Sequence, residues 1–453
     1  MKKLSLIENR FLIIALLFGL CWMFLLPPFQ APDEESHFFR AYGVSEEQVI
    51  CENIGVSNAG SYLPSNIKSF QQNLGAEEIK FHYEVKQDIN KLQKSGDSYP
   101  SSTESFIDYG NACAYSPLPY IPQVIGIEIG KIFQSSWLTI FYIGRLFNLL
   151  TFIAIIYYTI KIAPKMKYLI VLLALMPMML HQAVSISPDA LTVATCFLFV
   201  ALIMKLRYDP VLVTKKYIIL LLILSMVIAL SKITYFPLTL LILTIPMEKF
   251  KTKKHFWKFT ISVILISIIF TAIWFLCTRI SNIEFPLDPV EQLKNAIYHP
   301  LAFAKLLLMS FVTNDALYVQ FFGDFGWLDT PLPLALAIFY YCVLVLTTFY
   351  ESLKEIGKPR NERSDFWSGI LGLLSFVSCA LLIEISLYLN WTQDTPNYIS
   401  GVQGRYFIPL ALTFFYSLYL LVPFIIKHRK WIIFVFILLI LLASCYQLVL
   451  RYY

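Results

Sequence analysis

The sequence predicts an all-α polytopic membrane protein of about eleven transmembrane helices, and three observations carry that expectation. Of its 453 residues 57% are hydrophobic, and only 15% are charged, whereas soluble chains carry about a quarter charged residues. Apolar runs near the ~20 residues that cross a bilayer recur from Phe11 to Leu450. The connections between them alternate between short basic segments and long, mixed ones. Such a chain cannot cover a water-exposed surface, which excludes a soluble enzyme, a nucleic-acid-binding domain and a disordered scaffold. The net charge of +6 therefore reads as topology, not as affinity for nucleic acid.

The first span, 11–26, follows Lys2, Lys3 and Arg10 and runs into Pro27-Pro28-Phe29-Gln30-Ala31-Pro32. No small-x-small cleavage site follows, so it reads as an uncleaved anchor. Further spans are expected at 138–160, 168–186, 189–206, 217–231, 233–247, 257–276, 332–350, 366–389, 406–426 and 431–450. Two apolar stretches, 117–133 and 300–313, are ambiguous. Counting both as spans would place Lys161, Lys165, Lys167, Lys205, Arg207, Lys215, Lys216 and the Lys249–Lys258 cluster outside, against the positive-inside rule. They read instead as juxtamembrane or re-entrant helices on the outer side. The resulting layout is a single integral-membrane domain, 1–453, with a cytoplasmic N-terminus and an extracytoplasmic C-terminus. Its two large extracytoplasmic loops are 28–137 and 277–331, each carrying a juxtamembrane helix.

Residues 217–231 and 233–247 form an odd pair, each reaching only ~22 Å at 1.5 Å per residue. A short hairpin with Ser231 and Lys232 at a recessed tip keeps the basic cluster inside. Cys21, Cys196, Cys277, Cys342, Cys379 and Cys445 lie in or beside apolar segments and read as packing residues. Cys51 and Cys113 share the first loop, where an oxidising compartment would let them pair.

Chemistry-bearing residues concentrate on the outer side. The first loop opens with Pro32-Asp33-Glu34-Glu35-Ser36-His37-Phe38-Phe39-Arg40. As a helix, this places Asp33, His37 and Arg40 at i, i+4 and i+7 on one face. Acidic capping of a helix start accounts for the carboxylates alone, but not for the added His and Arg beside a membrane. Asn111 to Tyr120 reads as aromatic anchoring. His181 and Gln182 end one span, and Ser187-Pro188-Asp189 reads as the cap of the next. Phe322-Gly323-Asp324-Phe325-Gly326-Trp327-Leu328-Asp329-Thr330-Pro331 suits either a functional loop or turn chemistry, with Asp324 and Asp329 as candidates. Gly401-Val402-Gln403-Gly404-Arg405 offers Arg405 as an anchor or a phosphate ligand. Arg145, Lys232 and Glu384 are ionisable groups at or inside spans, each needing a partner or a wet cavity. An Arg145–Glu384 ion pair is the simple structural reading, which leaves Lys232 without an evident local partner.

Carboxylates, a histidine and cations at one membrane boundary suit a lipid-phosphate donor whose tail lies in the bilayer. A sugar leaving a polyprenyl phosphate departs from a phosphate whose charge needs stabilising, and the acceptor hydroxyl needs a base. Asp33 is the candidate base; Lys232 and Arg405 are the candidate phosphate ligands. Two competing readings are a polysaccharide polymerase or ligase using a lipid-diphosphate glycan, and a transporter or flippase of lipid-linked glycans. A third is a non-catalytic assembly factor of an envelope-synthesis complex.

Three motifs also carry a resemblance: Pro32-Asp33-Glu34…His37…Arg40-Ala41, Gly326-Trp327-Leu328-Asp329-Thr330…Pro333 and Gly404-Arg405-Tyr406-Phe407-Ile408-Pro409. In this order the chain resembles the bacterial membrane family catalogued as domain of unknown function 2142, grouped with the GT-C glycosyltransferase clan. That resemblance implies a GT-C-like bundle, an inverting transfer from a polyprenyl-phosphate sugar to a cell-envelope glycan or glycolipid, and a bacterial plasma membrane. It matches Asp33 to the clan's first-loop acid, with Glu34 beside it and His37 as a further catalytic residue. The expected substrate-binding residues are Arg40, Arg145, Lys232, Asp324, Asp329 and Arg405. Some clan members use a divalent metal, for which Asp33, Glu34 and His37 would be the ligands; the metal is left open.

Overall fold

The computed structural model describes residues 6–54, 59–96, 98–280, 287–349, 362–392, 397–422 and 430–453. Among these, seven helices are long and apolar enough to cross a membrane. They are Ile7–Leu25, Trp137–Ile162, Asp189–Tyr208, Lys253–Thr278, Arg363–Trp391, Gly404–Leu421 and Trp431–Tyr452. The chain is a helical, multi-pass membrane protein. Part of the expected tenth span, 423–426, and the stretch 281–286 of the second loop lie outside the described residues.

The other four expected spans take shorter or broken forms, each with a local cause. Residues 168–186 split into Lys167–Ala174 and Pro177–Ala183. Pro177 lacks an N–H and pushes Met176 into an extended conformation, so the helix must stop. Both pieces are buried in the centre of the bundle, where neighbouring helices stand in for lipid. The hairpin breaks at Lys232, whose backbone is extended. Its first arm is the helix Lys215–Ser231; its second is a 3-10 helix, Ile233–Thr244, containing Pro237. At about 2.0 Å per residue, this tighter form reaches further than an α-helix of equal length. Leu334–Thr348 is an ordinary short helix.

Of the two ambiguous stretches, the first becomes a 12-residue helix, Ile121–Ile132, too short to cross a bilayer. It lies flush along Trp137–Ile162, because a Cβ on Gly126 would meet the Ile143 carbonyl oxygen at 2.6 Å. The second, Pro300–Thr313, meets Pro289–Tyr298 at a bend of 107°.

The all-α expectation misses two small sheets, one of them the two-stranded pair Asp324–Phe325 and Thr330–Pro331. The first loop contains a three-stranded antiparallel sheet, Glu52–Asn53, Ala59–Pro64 and Glu104–Asp108, with Ala59–Pro64 in the middle. Nearly every residue of the central strand is buried, so no polar–apolar alternation marks it in the sequence. Gly60 admits the neighbouring strand, since a Cβ there would sit 1.9 Å from the Ile107 carbonyl oxygen. Beneath the sheet, Phe29, Phe38, Phe70, Trp137 and Phe141 form one aromatic cluster that fuses the loop to the bundle.

The two ends of the bundle differ in chemistry. Arg207 pairs with Asp365 at 2.8 Å, Lys249 donates to the Asp209 carbonyl and Lys165 to the Tyr419 hydroxyl. This basic end also holds the start of the first helix, where Tyr157 bonds Asn9 and Arg10 lies over Phe434. The C-terminus lies at the opposite end, with the Tyr453 hydroxyl near the Phe24 carbonyl and Gln87 N–H donating to the Tyr452 carbonyl. The first loop and the C-terminus thus share a face, and the N-terminus lies across the bundle.

Cys51 and Cys113 form a disulfide that closes 62 residues of chain around the sheet. Replacing either by Ser is expected to cost about 4 kcal/mol from loop closure alone. A lowered unfolding temperature of the detergent-purified protein checks this, together with loss of the mobility difference between reduced and non-reduced gels.

Candidate functional site

At the end that carries the first loop, charged groups from three separated stretches converge on Arg405. This residue belongs to a single 3-10 turn, Gly404–Phe407, that leads into the helix Ile408–Leu421. Gly404 gives that turn its position, not freedom. A Cβ there would lie 2.0 Å from the Leu317 carbonyl oxygen, and the Gly404 N–H donates to Gln320 Oε1. Arg405 is buried. Its Nε donates to Gln403 Oε1 at 2.6 Å and its Nη2 to Asp33 Oδ2 at 3.2 Å, while Nη1 stands 3.5 Å from Asp189 Oδ2.

Asp33 occupies the cap position of the helix Glu34–Ser45, yet its side chain makes no capping bond. Its φ of 60° is left-handed, a conformation that Asp adopts more readily than most residues and that is over-represented at functional sites. The carboxylate turns to Arg405 and remains part-exposed. Asp189, expected to cap its helix, sends its carboxylate to Arg405 instead; Ser187 Oγ accepts from the Asp189 N–H.

One helical turn beyond Asp33, His37 is buried with Nδ1 2.7 Å from the Tyr120 hydroxyl and its ring edge-on to Tyr115. Burial pushes the imidazole down to about 4 against the opposing pull of Asp33 and Asp189, so it is neutral at pH 7. The same burial carries the Tyr115 and Tyr120 hydroxyls well up. Lys232, at the hairpin break, lies 3.6 Å from the centre of the Tyr406 ring. The break is tied in place by Ser116 Oγ donating to the Leu230 carbonyl and Tyr235 donating to the Tyr406 carbonyl. Burial brings the Lys232 ammonium down to about 8; Asp189 and Asp33 oppose the drop and Arg405 adds to it. Lys232 keeps part of its surface accessible, as expected of a side chain lining a recess.

Asp33, His37, Lys232 and Arg405 are therefore together, and Asp189 joins them. Asp189 was legible only as an acid after Pro188, a pattern that every ordinary helix start shares.

Five other candidates lie elsewhere. Glu34 is fully buried in a two-pronged ion pair with Arg145, at 2.8 and 2.6 Å. The remaining Arg145 donors go to the carbonyls of Met23, Leu26 and Pro27. Glu34 also accepts from the N–H groups of Phe29 and Ile186. All five guanidinium hydrogens are used, so neither residue has capacity left for a substrate. This replaces the expected Arg145–Glu384 pair. Glu384 is buried in its span beside Ser310. Arg40 points back into the first loop and donates to the carbonyls of Gln48, Val49 and Tyr115. Asp324 and Asp329 belong to a tight hairpin in which Asp324 pairs with Pro331 and Phe325 with Thr330. Asp324 accepts from the Thr330 N–H, and its carboxyl is pushed up to about 7 by burial. Asp329 binds Arg451 at 3.0 Å, so turn chemistry prevails there; Gly326 sits at φ 64° to allow it.

The family model described as "Predicted membrane protein (DUF2142)" matches residues 16–414. The chain belongs to this family. No curated protein and no solved structure matches it.

The matched region of this DUF2142 chain contains every residue around Arg405. Two carboxylates and two cations give that recess a balanced charge, so an incoming phosphate would compete with Asp33 and Asp189 for Arg405 and meet Lys232 directly. Among the described residues no group of three or more His, Cys, Asp or Glu is placed to hold a metal ion. The donor set Asp33, Glu34 and His37 does not fit one, because Arg145 occupies Glu34 and Tyr120 occupies His37 Nδ1.

Two outcomes follow from this geometry. Glu34→Gln or Arg145→Met leaves a buried group uncompensated and is expected to cost about 3–5 kcal/mol, read as loss of monodisperse protein on size exclusion. Lys232, titrating near 10.5 when unfolded and about 8 when folded, carries its charge in the fold only below about 8. Inorganic pyrophosphate binding, followed by calorimetry, should therefore weaken as pH rises from about 7 to about 9. Lys232→Arg should retain binding across that range, since arginine stays charged.

Proposed function

We propose that this protein is an integral-membrane glycosyltransferase that moves a sugar from a polyprenyl-phosphate donor to a hydroxyl of an extracytoplasmic cell-envelope glycan or glycolipid. One observation carries the reading: Asp33, Asp189, Lys232 and Arg405 cluster at the loop end of the bundle, with Asp33 and Lys232 part-exposed. A lipid-linked phosphate can reach such a boundary position while its tail stays in the bilayer. A transporter reading gains nothing from charges gathered at one end rather than at the midplane.

In the proposed step the acceptor oxygen attacks the anomeric carbon opposite the phosphate. The carbon–oxygen bond to phosphate breaks, its electron pair staying on the departing polyprenyl phosphate, while the hydroxyl proton passes to Asp33. A single displacement of this kind inverts the anomeric centre. Lys232 and Arg405 stabilise the charge that grows on the leaving phosphate. Asp189 is a positioning residue that keeps Arg405 in place once phosphate draws it from Asp33. His37, neutral and held by Tyr120, orients the Asp33 side of the recess.

The same reading extends to topology. If the broken segment 168–186, both hairpin arms and Leu334–Thr348 also cross, the count is eleven, with the large loops 28–137 and 277–331 on one side in a GT-C-like arrangement. Lysines and arginines at the N-terminal end support a cytoplasmic N-terminus in a bacterial plasma membrane. A disulfide at the other end supports an oxidising exterior.

Asp33→Asn should lower transfer at least about 100-fold, the usual scale of a general base, with protein level unchanged. Lys232→Ala and Arg405→Ala should each cost about as much through loss of phosphate stabilisation. Mass spectrometry of envelope glycans in a deletion strain complemented with each variant reads the result. An Asp33→Asn strain that restores the full glycan profile would remove Asp33 from the mechanism.

A further inference from the structure

We propose that the turn formed by residues 80–86 is a membrane-contact site whose Phe81 and Tyr83 side chains enter the headgroup–acyl boundary of the bilayer beside the last span. This stands independently of the transferase reading.

The placement rests first on the last span. Trp431–Tyr452 has 22 residues, about 33 Å at the helical rise, slightly more than a ~30 Å hydrocarbon core. Its final turn therefore reaches the interface. Residues 79–87 are strapped onto that turn. Arg451 donates from Nη2 to the Ile79 carbonyl at 2.7 Å and from Nη1 to the Val85 carbonyl at 3.2 Å. Lys86 donates to the Leu450 and Arg451 carbonyls, capping the negative end of the helix, and the Gln87 N–H donates to the Tyr452 carbonyl at 2.9 Å.

Between these fastenings the chain bulges outward. Phe81 takes a φ of 60°, rare for a bulky residue, and leaves its ring 61% exposed; Tyr83 is 47% exposed. Inside the protein, Phe81 meets Trp327 edge-on, at 5.8 Å between ring centres, and its ring lies 5.7 Å from the Lys80 ammonium. Lys80 covers the same indole at 3.6 Å, and the indole N–H donates to the Phe29 carbonyl.

A left-handed backbone that sends an aromatic ring into water gains nothing, whereas one that sends it into the interface buries it. Exposed aromatics flanked by lysines at the level of a span's end have the composition of a membrane-interface belt. The turn is bonded directly to the span's end at Leu450, Arg451 and Tyr452, and Leu442, Tyr446, Val449 and Leu450 of that span are exposed. That attachment selects the bilayer as occupant over a second protein.

The test uses the full-length protein in nanodiscs containing a phospholipid with a diazirine near the headgroup, followed by illumination and peptide mass spectrometry. Lipid adducts are expected on Phe81 and Tyr83, severalfold above those on Tyr99, which is 56% exposed in the same loop. Phe81→Ser/Tyr83→Ser should reduce the adducts on this turn while the spans stay labelled. The proposal is overturned if wild-type Phe81 and Tyr83 remain unlabelled beside labelled spans or match Tyr99. It is equally overturned if they cross-link to another polypeptide instead, or if the double variant leaves the turn's labelling unchanged.

Discussion

The buried ion pair between Glu34 and Arg145 is the constraint on which the loop end of this protein depends. A carboxylate and a guanidinium removed from water are tolerable only when every donor and acceptor is matched, and here they are. Arg145 gathers the carbonyls of Met23, Leu26 and Pro27, which the first helix leaves open where it ends. Glu34 takes the N–H of Phe29 and, from across the bundle, that of Ile186. One carboxylate thereby sets the positions of both site acids. Asp33 is its neighbour in the chain, and Asp189 follows Ile186 by less than a helical turn.

That second tether is reinforced from the side. Asn148 donates to the Ser185 carbonyl, and Gln123 donates both to Asn148 and to the Ser187 carbonyl. The link between Pro177–Ala183 and Asp189–Tyr208 is thus held by polar groups from two other helices. In a membrane protein such bonds replace the water that a loop would otherwise use. The rigid mounting explains how two like charges can stand on either side of Arg405 without separating.

A second polar clamp closes the far edge of the same end. Arg451, two residues before Tyr453, joins the Asp324–Pro331 hairpin to the first loop through Asp329, Ile79 and Val85. Trp327 adds a bond to Phe29, the residue whose N–H serves Glu34. Stretches near residues 30, 80, 327 and 451 therefore meet in one layer above the spans. The Gly-Trp-Leu-Asp-Thr motif reads as chemistry in the sequence because it is rich in glycine, aromatics and acids. In the fold it is a fastening, and its acids are spent on Thr330 and Arg451.

Composition and hydropathy determined the class of this protein, since each apolar segment must find a non-aqueous environment whatever its neighbours are. They located the seven long spans among the described residues, the break at Lys232 and the concentration of Asp33, His37 and Arg405 at one end. They did not reveal the sheet of the first loop, because its central strand is buried on both faces and shows no period. Nor could they show that Glu34 and Arg145 would take each other as partners, since an acid and an isolated arginine have many possible mates until residues from elsewhere in the chain claim their hydrogen bonds. Asp189 was hidden for the same reason, looking like a helix cap until Arg405 stood beside it. Segment-level partition is a local property of sequence, whereas the identity of an ion pair is decided by distances between residues hundreds of positions apart, which only the tertiary structure sets.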